Sequence, residues 1–103
     1  MTETLKPPLT LEALRARRAE ILALAARYGV SNVRVFGSVA RGEATPTSDV
    51  DLLVDLPAEF TLLKLSGLVR ALREQLGCTV EVTSAQHLRP ELRSAILRDA
   101  QPL

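Results

Sequence analysis

Aromatic side chains are scarce in this chain of 103 residues: Tyr28, Phe36 and Phe60 are the only ones, and tryptophan is absent. That supply is thin for a surface that grips single-stranded nucleic acid by stacking bases on rings, which weakens the case for one, and leucine, valine and alanine must fill the core. Cysteine is represented by Cys78 alone, which rules out an internal disulfide and a cysteine-built zinc site. Excess charge is missing as well, since 13 Lys plus Arg stand against 12 Asp plus Glu. Phosphate backbones are bound through a basic surplus, so no direct nucleic-acid binding is expected, although Arg15, Arg17 and Arg18 cluster, as do Arg89, Arg93 and Arg98. Long apolar runs are lacking: Met1 to Pro8 has no signal-peptide core, and no stretch approaches a membrane span. The expectation is a cytoplasmic protein without membrane contact.

A hydrophobic share of 47% suits a folded chain, and the length suits one domain over residues 1–103. Residues 1–9, with Pro7 and Pro8, read as a flexible lead-in. Thr10 is placed to cap a helix over about 11–28, in which Leu11, Leu14, Ile21, Ala25 and Tyr28 recur at helical spacing and Gly29 is the stop. Asn32 to Phe36 alternates like a strand, Gly37-Ser38 breaks it, and Ser38 to Arg41 allows one helical turn before Gly42. Val50, Leu52 and Val54 mark a second strand that Pro57 ends. Leu62, Leu65, Val69, Leu72 and Leu76 form the stripe of a second long helix, closed by Gly77. Thr79 to Thr83 is a third strand, and Pro90 starts a last helix that uses Leu92, Ile96 and Leu97. The sum is α/β: a small mixed sheet, first two strands antiparallel, second and third parallel, with helices packed against it.

Two short motifs carry chemistry. Asp49 and Asp51 stand two positions apart at the start of a strand, so both carboxylates face the same side beside a loop. Held that close they repel unless a cation lies between them, and Mg²⁺ commonly binds through one or two carboxylates plus substrate phosphates. Taken alone the pair could equally be a solvated strand end. Gly37-Ser38 follows a strand and opens a turn, where glycine permits close backbone approach, the serine hydroxyl donates, and amides attract anions. The plain alternative is an ordinary strand-to-helix turn. Glu81 lies between Val80 and Val82, so it faces away from the core, on the side of Asp49 and Asp51 if the strands are neighbours.

The run Phe36-Gly37-Ser38, a spacer, and Asp49-Val50-Asp51-Leu52 resembles the signature of the DNA polymerase β-like nucleotidyltransferase superfamily. More narrowly, Gly37-Ser38-Val39-Ala40-Arg41-Gly42 and Ser48-Asp49-Val50-Asp51-Leu52-Leu53-Val54 look like the minimal nucleotidyltransferases that serve as antitoxins in HEPN–MNT toxin–antitoxin pairs. The likeness continues through Leu76-Gly77, Val80-Glu81-Val82-Thr83 and the closing helix, and weakens before about residue 10.

The resemblance implies a palm-like nucleotidyltransferase core. It implies that Gly37 and Ser38 hold the nucleotide's β- and γ-phosphates, and that Asp49 and Asp51 bind metal. Arg41 reads from its position as a nucleotide-binding cation over the triphosphate, the plain alternative being a solvated residue of the helical turn. The family's third carboxylate, usually aspartate, falls on Glu81, one methylene longer. The implied cofactor is Mg²⁺ or Mn²⁺, the substrate ATP, and the reaction transfer of AMP to a tyrosine of a helical HEPN toxin, in a homo- or hetero-oligomer. Two alternatives stay open: a catalytically weak module that neutralises a toxin by contact, and a nucleotidyltransferase for small molecules. His87, Glu43, Asp55 and Cys78 are read as structural or surface residues.

Overall fold

Thr10 caps the first helix as its sequence position requires, its hydroxyl accepting from the Ala13 amide at 3.0 Å. The computed structural model describes residues 9–103, so the lead-in lies outside the described residues apart from Leu9, which packs against the core. The helix expected over 11–28 is two: α1 (Leu11–Ala16) and α2 (Arg18–Arg27). Arg17 leaves helical geometry between them, at φ −106° and ψ 18°. Its guanidinium bonds to Glu20 of α2 and, reaching a later helix, to the Gln75 carbonyl. Tertiary contacts thus override a helical pattern that is continuous in sequence.

Strand β1 (Ser31–Phe36) follows, then one helical turn α3 (Gly37–Ala40) and strand β2 (Val50–Asp55). Helix α4 (Leu62–Leu76) is capped by the Thr61 hydroxyl and stopped at Gly77, whose left-handed φ of 69° suits a residue without Cβ. Strand β3 (Val80–Ser84), helix α5 (Pro90–Asp99) and the two-residue strand β4 (Gln101–Pro102) complete the order. The sheet runs β3-β2-β1-β4. β1 is antiparallel to both β2 and β4, and β2 is parallel to β3. The mixed sheet matches expectation; β4 is an addition to the three strands read from sequence.

Alternation divides the sheet into two faces. Val33, Val35, Val50, Leu52, Val54 and Val80 are buried together with Leu14, Ile21 and Ala25, and with Leu68, Leu72 and Leu76 of α4. Their odd-numbered or even-numbered neighbours, Arg34, Phe36, Asp51, Asp55, Glu81 and Thr83, keep at least part of their surface in solvent. Two expected core stripes need correction. Leu62 of α4 is 82% exposed and its neighbour Leu63 83%; Leu65 and Val69 are only partly covered, and the fully buried stripe is Leu68, Leu72 and Leu76. No residue of α5 is fully buried, and Leu92 and Leu97 are exposed. In its place Leu103, beyond β4, enters the core.

Candidate active site

Strand register assembles the site. Phe36 pairs with Asp51 across β1 and β2, and Asp51 pairs with Glu81 across β2 and β3. Gly37, next to Phe36, Asp51 and Glu81 therefore lie at one level of three adjacent strands, and neighbouring residues of one level share a face. Asp49 sits just ahead of β2, partly buried, in the loop that leads into it.

Gly37 has φ +76°, a conformation that other residues enter only with strain. It is also packed against the aspartate: a Cβ there would fall 3.3 Å from Asp51 Cγ and 3.5 Å from its Cβ, and closer still to Oδ2. The glycine is thus needed twice, for its backbone angle and for the approach of the turn to the carboxylate. Ser38 is half-buried behind it and opens α3, whose Val39 and Ala40 anchor the turn in the core. The loop after it is tied internally, with the Thr45 amide donating to Ser48 Oγ at 2.8 Å.

Asp51 is held well above the usual carboxylate range, at about 6. Burial is the largest cause, followed by the charges of Glu81 and Asp49 and a hydrogen bond with Glu81; Arg41 acts in the opposite direction. Among the described residues no three acidic, histidine or cysteine side chains converge into a ready-made cage. A crowded, half-buried carboxylate pair is nevertheless what a divalent cation of the Mg²⁺ type relieves, because such ions take one or two carboxylates and draw their remaining oxygens from phosphates and water. The donor set fits.

Arg41 caps α3 but is committed elsewhere. Its Nε donates to Glu43 Oε1 at 2.8 Å and its Nη1 to Asp99 Oδ2 at 2.6 Å, and both bonds raise its pKa above the usual arginine value. Glu43 is thus a partner of a site residue, and Asp99 was not foreseen at all. Fifty-eight positions separate Asp99 from Arg41, and nothing local in the sequence marks the pair. Asp55, expected at the surface, is partly exposed and also tied into the sheet, accepting from Arg34 at 3.1 Å and from Asn32 at 3.0 Å. His87 Nδ1 lies 3.1 Å from Ser84 Oγ in the turn after β3, and Cys78 packs against the core. A cleft of about 400 Å³ opens beside Asp49, between Thr45–Ser48 and Leu76–Thr79.

Comparison with known proteins agrees with this geometry. A family model described as nucleotidyltransferase domain matches residues 19–103. The protein adenylyltransferase MntA of Thermococcus cleftensis is 38% identical over 92 residues, which is 88% of this chain and 93% of the relative. A solved structure assigned as a minimal nucleotidyltransferase is 52% identical, with a TM-score of 0.80 over 91% of this chain and 96% of that one. A toxin–antitoxin complex solved with AMP-PNP shares the fold at 17% identity, with a TM-score of 0.72 over 82% of this chain and 69% of its own. No described helix is long and apolar enough to cross a membrane. With the model matched from Ala19 to Leu103 and the glycine turn packed on its aspartate, the chain belongs to the nucleotidyltransferase domain family, as one of its minimal members.

Proposed function

We propose that the chain transfers AMP from ATP, with Mg²⁺ or Mn²⁺, to a tyrosine hydroxyl of a helical HEPN-type toxin, and so acts as a cytoplasmic antitoxin. The observation that carries this reading is the register that sets Phe36, Asp51 and Glu81 side by side on three neighbouring strands, with Gly37 packed directly on Asp51. The names of the relatives support the protein acceptor.

Asp49 and Asp51 would hold the metal, and Glu81 beside Asp51 would either complete its ligand set or take the proton of the acceptor. When bound, the ion neutralises charge on the triphosphate and stabilises both the entering and the leaving oxygen. Gly37 lets the turn close on Asp51, and Ser38 offers its amide and hydroxyl to the β- and γ-phosphates at the start of α3. Arg41 contributes a nearby positive charge. The acceptor oxygen bonds to the α-phosphorus while the bond to the bridging oxygen breaks and pyrophosphate leaves. The hydroxyl proton passes to a carboxylate, for which Glu81 is placed, being solvent-exposed at the level of Asp51. Positioning and charge neutralisation supply most of the rate in phosphoryl chemistry of this kind.

A partner has to complete the site. Glu81 and Arg41 are exposed, so nothing on that side encloses a nucleotide as ligand pockets usually do. Away from the site, at the opposite end of α4, Leu62 and Leu63 are bare beside a cleft of about 350 Å³ lined by Leu56, Phe60, Leu65 and His87, and this surface is our candidate for a second contact with a partner large enough to reach both. The test is incubation with α-labelled ATP, Mg²⁺ and the product of the neighbouring gene. Label should move to that protein, and Asp49→Asn or Asp51→Asn should lower transfer by orders of magnitude. Binding of the partner with no transfer by the wild-type chain would instead support neutralisation by contact alone, the reading that the longer Glu81 favours.

A further inference from the structure

Asp99 sits where helix physics gives it no reason to be. It is the last residue of α5, and a carboxylate at a helix C-terminus faces the negative end of the macrodipole. Its side chain is 23% exposed and lies 2.6 Å from Arg41 Nη1. Two residues later Gln101 Nε2 donates to the Ala40 carbonyl at 3.4 Å, so one segment touches the α3 turn at two successive residues. Arg41 is also held from the other side by Glu43. Nε and Nη1 are then occupied and the guanidinium plane is fixed. The Arg41 amide also donates to the Gly37 carbonyl at 3.1 Å, which ties the residue to the glycine turn.

We infer that Asp99 is a positioning residue for nucleotidyl transfer: with Glu43 it fixes the Arg41 guanidinium at the end of the Gly37-Ser38 turn, ready to meet the triphosphate. This rests on the function proposed above. Ordinary surface ion pairs stitch elements together and contribute little. A pair that orients a charge acts on the transition state instead, because a preorganised group has no reorganisation left to make when charge develops. Removing Asp99 leaves the arginine charge in place but free to swing. Ground-state affinity for ATP should therefore survive while the chemical step suffers.

The experiment is a mutant cycle with Asp99→Asn, Arg41→Ala and the double variant, together with Asp99→Glu, each assayed for AMP transfer, for KM towards ATP and for melting temperature. Asp99→Asn should lower kcat roughly ten- to a hundredfold with KM and melting temperature close to wild type. It should add nothing in the Arg41→Ala background, and Asp99→Glu should recover most of the loss. Wild-type kcat in Asp99→Asn, or the same loss with and without Arg41, would overturn the inference. Should Asp99→Asn melt early, Glu43→Gln takes its place. Glu43 is 64% exposed, so its loss should spare the fold yet lower kcat in the same Arg41-dependent way; wild-type kcat there also overturns the inference. If the wild-type chain transfers nothing to its partner, the proposed function itself fails, an outcome distinct from a working enzyme indifferent to Asp99.

Discussion

Replacing Asp51 with asparagine should stabilise the metal-free protein while abolishing its chemistry. In the folded chain Asp51 titrates at about 6, against an ordinary 3.8. A group raised on folding contributes stability that is fully present below its unfolded pKa and lost as pH rises through its folded pKa. The window here is therefore from about 4 to just above 6. The full interval corresponds to at most about 3 kcal/mol, and solvent at the open rim of the site screens this to about 1–2 kcal/mol. Asparagine keeps the shape and never ionises, so the difference between variant and wild type isolates the term. In EDTA, calorimetry or thermal denaturation at pH 7.5 should show Asp51→Asn melting higher, by roughly 5–10 °C for a domain of this size. The advantage should shrink as pH falls and vanish near pH 4. Mg²⁺ with nucleotide should reverse the order, because it binds only the folded wild type. A variant no more stable than wild type at pH 7.5, or an advantage that does not change with pH, would refute the view that carboxylate crowding is held in the fold.

Gly37→Ala should cost at least 1–2 kcal/mol from the left-handed backbone alone, and nucleotide affinity should fall in titration calorimetry because the methyl group meets Asp51. Glu81→Gln should cut AMP transfer strongly with ATP binding and melting temperature nearly unchanged, whereas Glu81→Asp should keep or raise activity; a transfer assay with equal rates for Gln and Glu would make Glu81 a surface residue. Leu63→Glu should weaken partner association without changing the melting temperature, read by light scattering and denaturation, since the side chain it replaces is 83% exposed.

Much of the fold could be read because local and tertiary preferences agree. The alternation of Val50, Leu52 and Val54 and the glycine stops at Gly29 and Gly77 report burial and backbone geometry that the structure also contains. The candidate site was legible for the same reason: strand period places Asp51 and Glu81 on the side opposite to their valine and leucine neighbours, and only the register, Asp51 to Glu81, had to come from the fold. What stayed hidden depends on distant contacts. The break at Arg17 follows from Gln75 and Glu20. Strand β4 is two residues long and includes a proline, so it has no pattern of its own and exists because β1 offers an edge. Leu92 and Leu97 have helical spacing but no surface to cover, and periodicity cannot distinguish a buried stripe from an unpartnered one.

The two-sided sheet also bears on how such a chain can drift over generations. Val50 and Leu52 are fully buried, while Asp51 between them faces the other way. Substitutions at Asp51 or Glu81 therefore leave the packing that holds β2 and β3 untouched. If the carboxylates repel in the absence of metal, losing one is even rewarded with stability, and only selection for the reaction keeps them in place. Lineages relieved of that selection should accumulate catalytically silent copies that fold at least as well and still present the same outer surface to a partner. In such a family shape and binding would outlive chemistry, and an active member has to be recognised by its carboxylates rather than by its fold.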